Sequence, residues 1–256
     1  MPALALIAVY AGTAALALCL VSRFLVRIPP RWGIALALLP LVLTGRAVVT
    51  GEYFGPLNLA YAASPLSSRG GPDIHRDYGN GLLTDVAFQM VPWQAAIRSD
   101  VRAGRAPLWN PSILCGDVLA GAAQPAPFHP SSWIGLLLPL PAARTFAAAL
   151  GLFVGALCGF VFLRDLGLEP LVAFFGGAAW MLSFHFVFWT GWPQAQTFAP
   201  LPLVMAGMRR IARREAGGFG ATAGGLALSL VGGHPESAFH AALVSGVWFL
   251  WELPRS

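Results

Sequence analysis

Asp85 and Gln89 stand four residues apart in Leu83-Thr-Asp85-Val-Ala-Phe88-Gln89-Met-Val-Pro-Trp93, a spacing that puts both side chains on one face of a helix. The periodicity of residues 83–97 predicts an amphipathic helix lying along a membrane surface. A carboxylate beside a low-dielectric surface has a raised pKa, which suits proton transfer. Asp85 is therefore a candidate general base and Gln89 a candidate substrate ligand. The same position also suits Thr84 or Asp85 as a plain helix cap. Downstream lie Trp109-Asn110-Pro111, Gly116, Gly121-Ala-Ala-Gln124 and Phe128-His129-Pro130. An aromatic beside amide side chains provides an apolar face and fixed donors and acceptors, as a sugar-binding surface requires; an ordinary interfacial loop has the same look. Two further polar segments are Trp192-Pro-Gln194-Ala-Gln196 and Gly232-Gly-His234-Pro-Glu236. Asp73, Asp77 and Asp85 are the carboxylates a divalent cation would use, but without an Asp-x-Asp pair no metal site is assigned. His185, in Ser-Phe-His-Phe, reads as a core histidine.

The elements around these residues are apolar. The chain is 57% hydrophobic and 11% charged, where soluble domains carry about 25% charged residues. Residues 3–20, 33–49, 143–163, 171–190, 197–208, 219–231 and 238–251 are candidate spans. The expected fold is an all-α polytopic membrane protein of about seven transmembrane helices. Two helices fill residues 1–50, a long outer loop with interfacial helices fills 51–142, and a helix bundle fills 143–256. The apolar stretch 131–141 is short and ends in Pro-Leu-Pro, so it reads as re-entrant or interfacial.

All sixteen basic residues are Arg. Arg23, Arg27, Arg31, Arg164, Arg209, Arg210, Arg213, Arg214 and Arg255 fall in the loops and tail that this topology places in the cytoplasm, in keeping with the positive-inside rule. Residues 3–20 have no basic n-region before them, which predicts a first helix with its N-terminus outside and no cleaved signal peptide. Arg then meets membrane lipid rather than nucleic acid, for which no basic helix or zinc spacing is present. Cys19, Cys115 and Cys158 form no metal or disulfide pattern. Glu169 and Glu252 mark cytoplasmic helix ends.

Across residues 82–239, the order and spacing of Asp85-x-x-x-Gln89, Leu108-Trp109-Asn110-Pro111, Gly116, Gln124, Phe128-His129-Pro130 and Gly233-His234-Pro235-Glu236 resemble the bacterial YfhO-like membrane proteins. Their last segment usually reads Gly-His-Pro-Gln. The resemblance implies a glycosyltransferase of the membrane-embedded C-type fold, in the bacterial cytoplasmic membrane. Such an enzyme takes a sugar from a polyprenyl-phosphate carrier to an envelope acceptor on the outer face. It implies catalysis by Asp85, and a donor or acceptor site drawn from Gln89, Trp109, Asn110, Gln124, His129, His234 and Glu236. It further implies that Arg76 or Arg98 meets the phosphate charge. Two departures stand out: two helices precede the long loop where one is usual, and family members are much longer. The resemblance therefore implies the N-terminal part of such a protein.

A transporter or lipid flippase is the competing class, and it predicts ionisable residues deep in the spans. Only Arg46 and His185 stand out there. A non-catalytic membrane scaffold is the third class. A shared site requires Asp85, Asn110 and His234 to converge on one outward cavity.

Overall fold

The apolar runs fold as helices that begin and break at prolines. In the computed structural model, which describes residues 2–62, 64, 66–68 and 83–255, these are α1 (Pro2–Phe24), α2 (Pro30–Leu38), α3 (Leu41–Thr50), α6 (Leu140–Asp165), α7 (Pro170–Met181), α8 (Phe184–Phe188), α9 (Pro193–Phe198), α10 (Leu201–Ala212), α11 (Gly218–Leu230) and α12 (Pro235–Glu252). Arg76, Asp73 and Asp77 lie outside the described residues. Residues 33–49, expected as one span, are bent by 69° between α2 and α3. Pro40 causes the bend, having no N–H to donate. Residues 171–190 break between α7 and α8 at the extended Ser183. α9 and α10 are separated at Ala199-Pro200.

Two helices are long and apolar enough to cross a membrane, Ala3–Phe24 and Leu140–Asp165, or three if the bent α2–α3 pair is one span. The two differ in place. The apolar window of the first is 17% buried and that of the second 72%, so α6 is the central post and α1 lies on the periphery. α6 packs against α1, α2, α3, α5, α7, α9 and α10. Phe146, Phe153 and Phe160 fill its inward face. Leu4, Leu16, Phe175, Phe219, Phe239 and Leu250 are exposed on outward helix faces, an arrangement suited to hydrocarbon and costly in water.

Glycines let the helices approach. A Cβ on Gly177 of α7 would fall 2.5 Å from the Ala156 carbonyl oxygen, and one on Gly207 of α10 would fall 2.6 Å from the Thr222 nitrogen of α11. Such contacts admit only a missing side chain.

Ion pairs gather the opposite helix ends. Arg209 Nη1 reaches Asp165 Oδ2 at 2.9 Å, and Arg210 Nε donates to Asp165 Oδ1 at 2.5 Å. Arg210 Nη2 donates to the Leu25 carbonyl at 2.8 Å, and Arg213 Nη2 lies 3.3 Å from Glu252 Oε2. The C-terminal ends of α1, α6, α10 and α12 therefore meet. Glu252, expected to be a simple end marker, is buried within this network. Arg46, expected deep in a span, is exposed beside Glu52.

Between α3 and α6 the described residues mix short helical turns with irregular backbone. They include α4 (Val91–Arg102), α5 (Pro130–Gly135) and a two-residue antiparallel ribbon of β1 (Trp109–Asn110) and β2 (Asp117–Val118). A π-helical turn over Val86–Met90 leads into α4. Pro92 cannot donate an amide to Phe88, and the wider turn accommodates its ring.

Candidate functional site

Three polar segments meet at the end of the bundle away from the ion-pair network. The first is the loop before α5. Ala123 and Ala126 hold left-handed φ angles of 59° and 48°, conformations that cost a residue with a Cβ about 1–2 kcal/mol each. They turn the chain tightly on both sides of Gln124-Pro125. Gln94 Nε2 of α4 donates to the Pro125 carbonyl at 3.0 Å, and Ser132 Oγ donates to the Ala126 carbonyl at 2.8 Å. The second segment is Trp192–Gln196, carried by the short α9. The third is Gly232-Gly233, wedged between the other two. A Cβ on Gly233 would lie 3.0 Å from both the Ala126 and the Pro193 Cβ atoms. Gln196 Nε2 donates to the Gly232 carbonyl at 2.6 Å.

The convergence leaves a narrow cleft of about 40 Å³. Gln94, Arg98, Gln124, Arg144, Thr190 and Gln196 supply polar walls, with Ser131 and Ser132 at one side. Ala147, Gly151, Leu152 and Phe186 supply an apolar wall. No Asp or Glu is among the lining residues. Arg98 is buried, and it donates to the Leu138 carbonyl at 2.7 Å and to the Gly135 carbonyl. Burial, and then the charge of Arg102, push its pKa below the usual range. Arg144 Nη2 donates to the Gly191 carbonyl at 2.5 Å, while its buried Nε has no partner.

The cleft brings together only part of the expected site. Arg98 and Gln124 line it; Asp85, Gln89, Trp109, Asn110, His129, His234 and Glu236 do not. Helical phase explains the first two. The cleft-facing stripe is Met90, Gln94 and Arg98, whereas Asp85 and Gln89 form a neighbouring stripe that begins about one and a half turns before Met90. The spacing argument holds locally, since Gln89 Nε2 donates to Asp85 Oδ1 at 3.1 Å. Asp85 stands at the start of the helical turn, and its side chain makes no capping hydrogen bond.

The other residues have local partners. Asn110 is buried, and its Oδ1 accepts from the Ser112 amide at 3.0 Å. His129 and His234 each cap a helix through Nδ1, accepting from the amides of Ser131 at 3.3 Å and Ser237 at 3.2 Å. Burial pushes His129 down to about pKa 4. Trp109 lies against Gly116, where a Cβ would fall 2.6 Å from the indole, and remains 53% exposed. Glu236 is exposed in the first turn of α12. Among the described residues, no group of three or more His, Cys, Asp or Glu is placed to hold a metal.

Gln94, Arg144 and Thr190 are lining residues that the sequence reading passed over. Gln94 and Arg98 carried a usable signal, lying at i, i+4 on the same predicted helix as Asp85. Arg144 carried another: it is a lone Arg at the start of the long apolar run that becomes α6. No family model, no curated protein and no solved structure matches this chain.

Proposed function

We propose that this chain acts in a membrane glycosyltransferase. The enzyme takes a sugar from a polyprenyl-phosphate-linked donor to a cell-envelope acceptor, with the polar cleft as the donor's head-group site. The observation that carries the reading is the meeting of the loop before α5, Trp192–Gln196 and Gly232-Gly233 around amide, hydroxyl and guanidinium groups. Amides and hydroxyls fix the orientation of a sugar, and a guanidinium offers planar donors to phosphate. In this reading α1, α2–α3, α6, α7–α8, α9–α10, α11 and α12 make seven passes of the bacterial cytoplasmic membrane. The Arg-rich end faces the cytoplasm, and the cleft and the N-terminus face outward. Broken helices and irregular backbone around the cleft fit this arrangement, since unpaired backbone at membrane depth is tolerated where it lines a cavity.

In this reading Asp85, on the helix stripe next to the cleft-lining one and not itself among the lining residues, takes the proton of the acceptor hydroxyl, whose oxygen attacks the anomeric carbon as the lipid phosphate leaves. Gln89 holds the Asp85 carboxylate through their hydrogen bond. The exposed face of Trp109 offers a stacking surface. The test is sugar transfer from a polyprenyl-linked donor by the full-length protein in proteoliposomes. Asp85→Asn is expected to lower turnover at least about a hundred-fold, the size of a lost general base; unchanged turnover contradicts the assignment.

One observation favours a second reading. Because no carboxylate among the described residues lines the cleft, the site also fits a protein that holds or moves the lipid-linked sugar without cleaving it. Donor binding with no transfer, and no loss of binding in Asp85→Asn, would select that reading.

A further inference from the structure

We propose that Arg98 and Arg144 together form an oxyanion site in the cleft, and that its ligand is the phosphate of a lipid head group. The inference rests on the cleft reading above and adds Arg144 and the ligand class. Both guanidiniums line the same cleft. The Gly135 Cβ position lies 4.0 Å from an Arg98 Nη and 3.3 Å from the Cβ of Ala143, the residue before Arg144, so Arg98 sits against the start of α6.

Neither arginine is paired with a carboxylate among the described residues; the ion pairs there involve Arg46, Arg105, Arg209, Arg210 and Arg213. Arg98 is buried and Arg144 half-buried, and a cation drawn out of water without a counter-charge is costly. Backbone carbonyls hold the planes of both groups but do not neutralise them. A guanidinium has five N–H donors, and the carbonyls take only part of that capacity. The buried Arg144 Nε is a donor with no acceptor. Gln94 and Gln124 add neutral donors beside the pair. A tetrahedral phosphate has enough oxygens to accept from both forks.

The apolar wall identifies the carrier. Ala147 and Gly151, backed by the buried Leu152 and Phe186, give the cleft a wall without polar groups. Such a wall gives an inorganic ion nothing, whereas an alkyl or prenyl chain attached to the phosphate gains by covering it.

Calorimetric titration of the purified full chain in a neutral detergent tests this. The probes are dodecyl phosphate, inorganic phosphate and dodecanol. Dodecyl phosphate is expected to bind, with affinity falling about ten- to a hundred-fold in Arg144→Gln, the range of a lost charge-assisted hydrogen bond. Arg144→Lys is expected to restore part of it. Arg98→Gln is expected to act in the same direction; because Arg98 also braces two carbonyls, Arg144→Gln decides the matter if that variant does not fold. Arginine-dependent binding of inorganic phosphate as tight as that of dodecyl phosphate would keep the oxyanion site and overturn the lipid as its source. Equal binding of dodecyl phosphate by the parent and Arg144→Gln, or dodecanol binding as tightly, would overturn the site. Arginine-dependent phosphate binding without sugar transfer would contradict the transferase alone, and transfer unaffected by Arg144→Gln would contradict this inference alone.

Discussion

His129 illustrates how a polar residue can be legible by type yet take its role from burial. The sequence marks it as a donor or acceptor in a loop, and the structure spends its Nδ1 on the start of α5. Its pKa of about 4, set by burial, gives a pH prediction. Above about pH 6.5 the imidazole is neutral in both folded and unfolded chains. Below that, the unfolded chain takes a proton that the folded state refuses until about pH 4, so stability falls as pH falls through this window. The expected loss is about 3 kcal/mol between pH 6.5 and 4. Thermal unfolding in detergent against pH should show that slope, and it should flatten in His129→Asn. Gly233 makes a second prediction at this scale. With φ at 96° and a Cβ position 3.0 Å from two other segments, Gly233→Ala should cost about 2–4 kcal/mol, combining backbone strain with overpacking. It should also loosen ligand binding in the cleft. The Asp85–Gln89 contact was legible from an i, i+4 spacing alone. The assignment of that stripe to the cavity was not, because helical phase relative to the rest of the fold is a tertiary property.

At the scale of elements, the apolar runs located the helices well and the breaks poorly. Residues 219–231 and 238–251 correspond to α11 and α12, whereas 33–49, 171–190 and 197–208 overlap interrupted helices. Hydropathy averages over a window and does not register a Pro40 or a Ser183 inside it. The role of small residues was readable, and the structure separates glycines that matter from those that do not. Gly177→Val should destabilise the α6–α7 pair by about 1–3 kcal/mol or more through overpacking against the Ala156 carbonyl. Gly220→Val on α11, where nothing lies within 4 Å, should change stability by less than about 0.5 kcal/mol. Matched melting curves of the two variants check both statements; equal losses would contradict the close approach.

The whole molecule has two chemically distinct ends. Buried ion pairs join Asp165 and Glu252 to Arg209, Arg210 and Arg213 at one, and the cleft with Arg98 and Arg144, neither paired with a carboxylate among the described residues, occupies the other. The Arg cluster was legible as a topological signal, but its carboxylate partners come from residues 44 and 39 positions away, beyond any local pattern. Asp165→Asn leaves Arg210 without its carboxylate and Arg209 with only Glu252 at 3.8 Å, and should cost about 3–5 kcal/mol, measured by thermal unfolding. That variant should leave phosphate binding intact in whatever fraction remains folded, because the two ends do not share side chains. The central claim is that the other end receives a lipid-linked phosphosugar. Photo-crosslinking of the full chain in proteoliposomes with a diazirine-bearing polyprenyl-phosphate sugar tests it most directly. The account predicts adducts on residues 90–98, 124–132 and 190–196, reduced by Arg144→Gln; adducts confined to the exposed apolar face of α12 around Phe239 and Leu250 would contradict it.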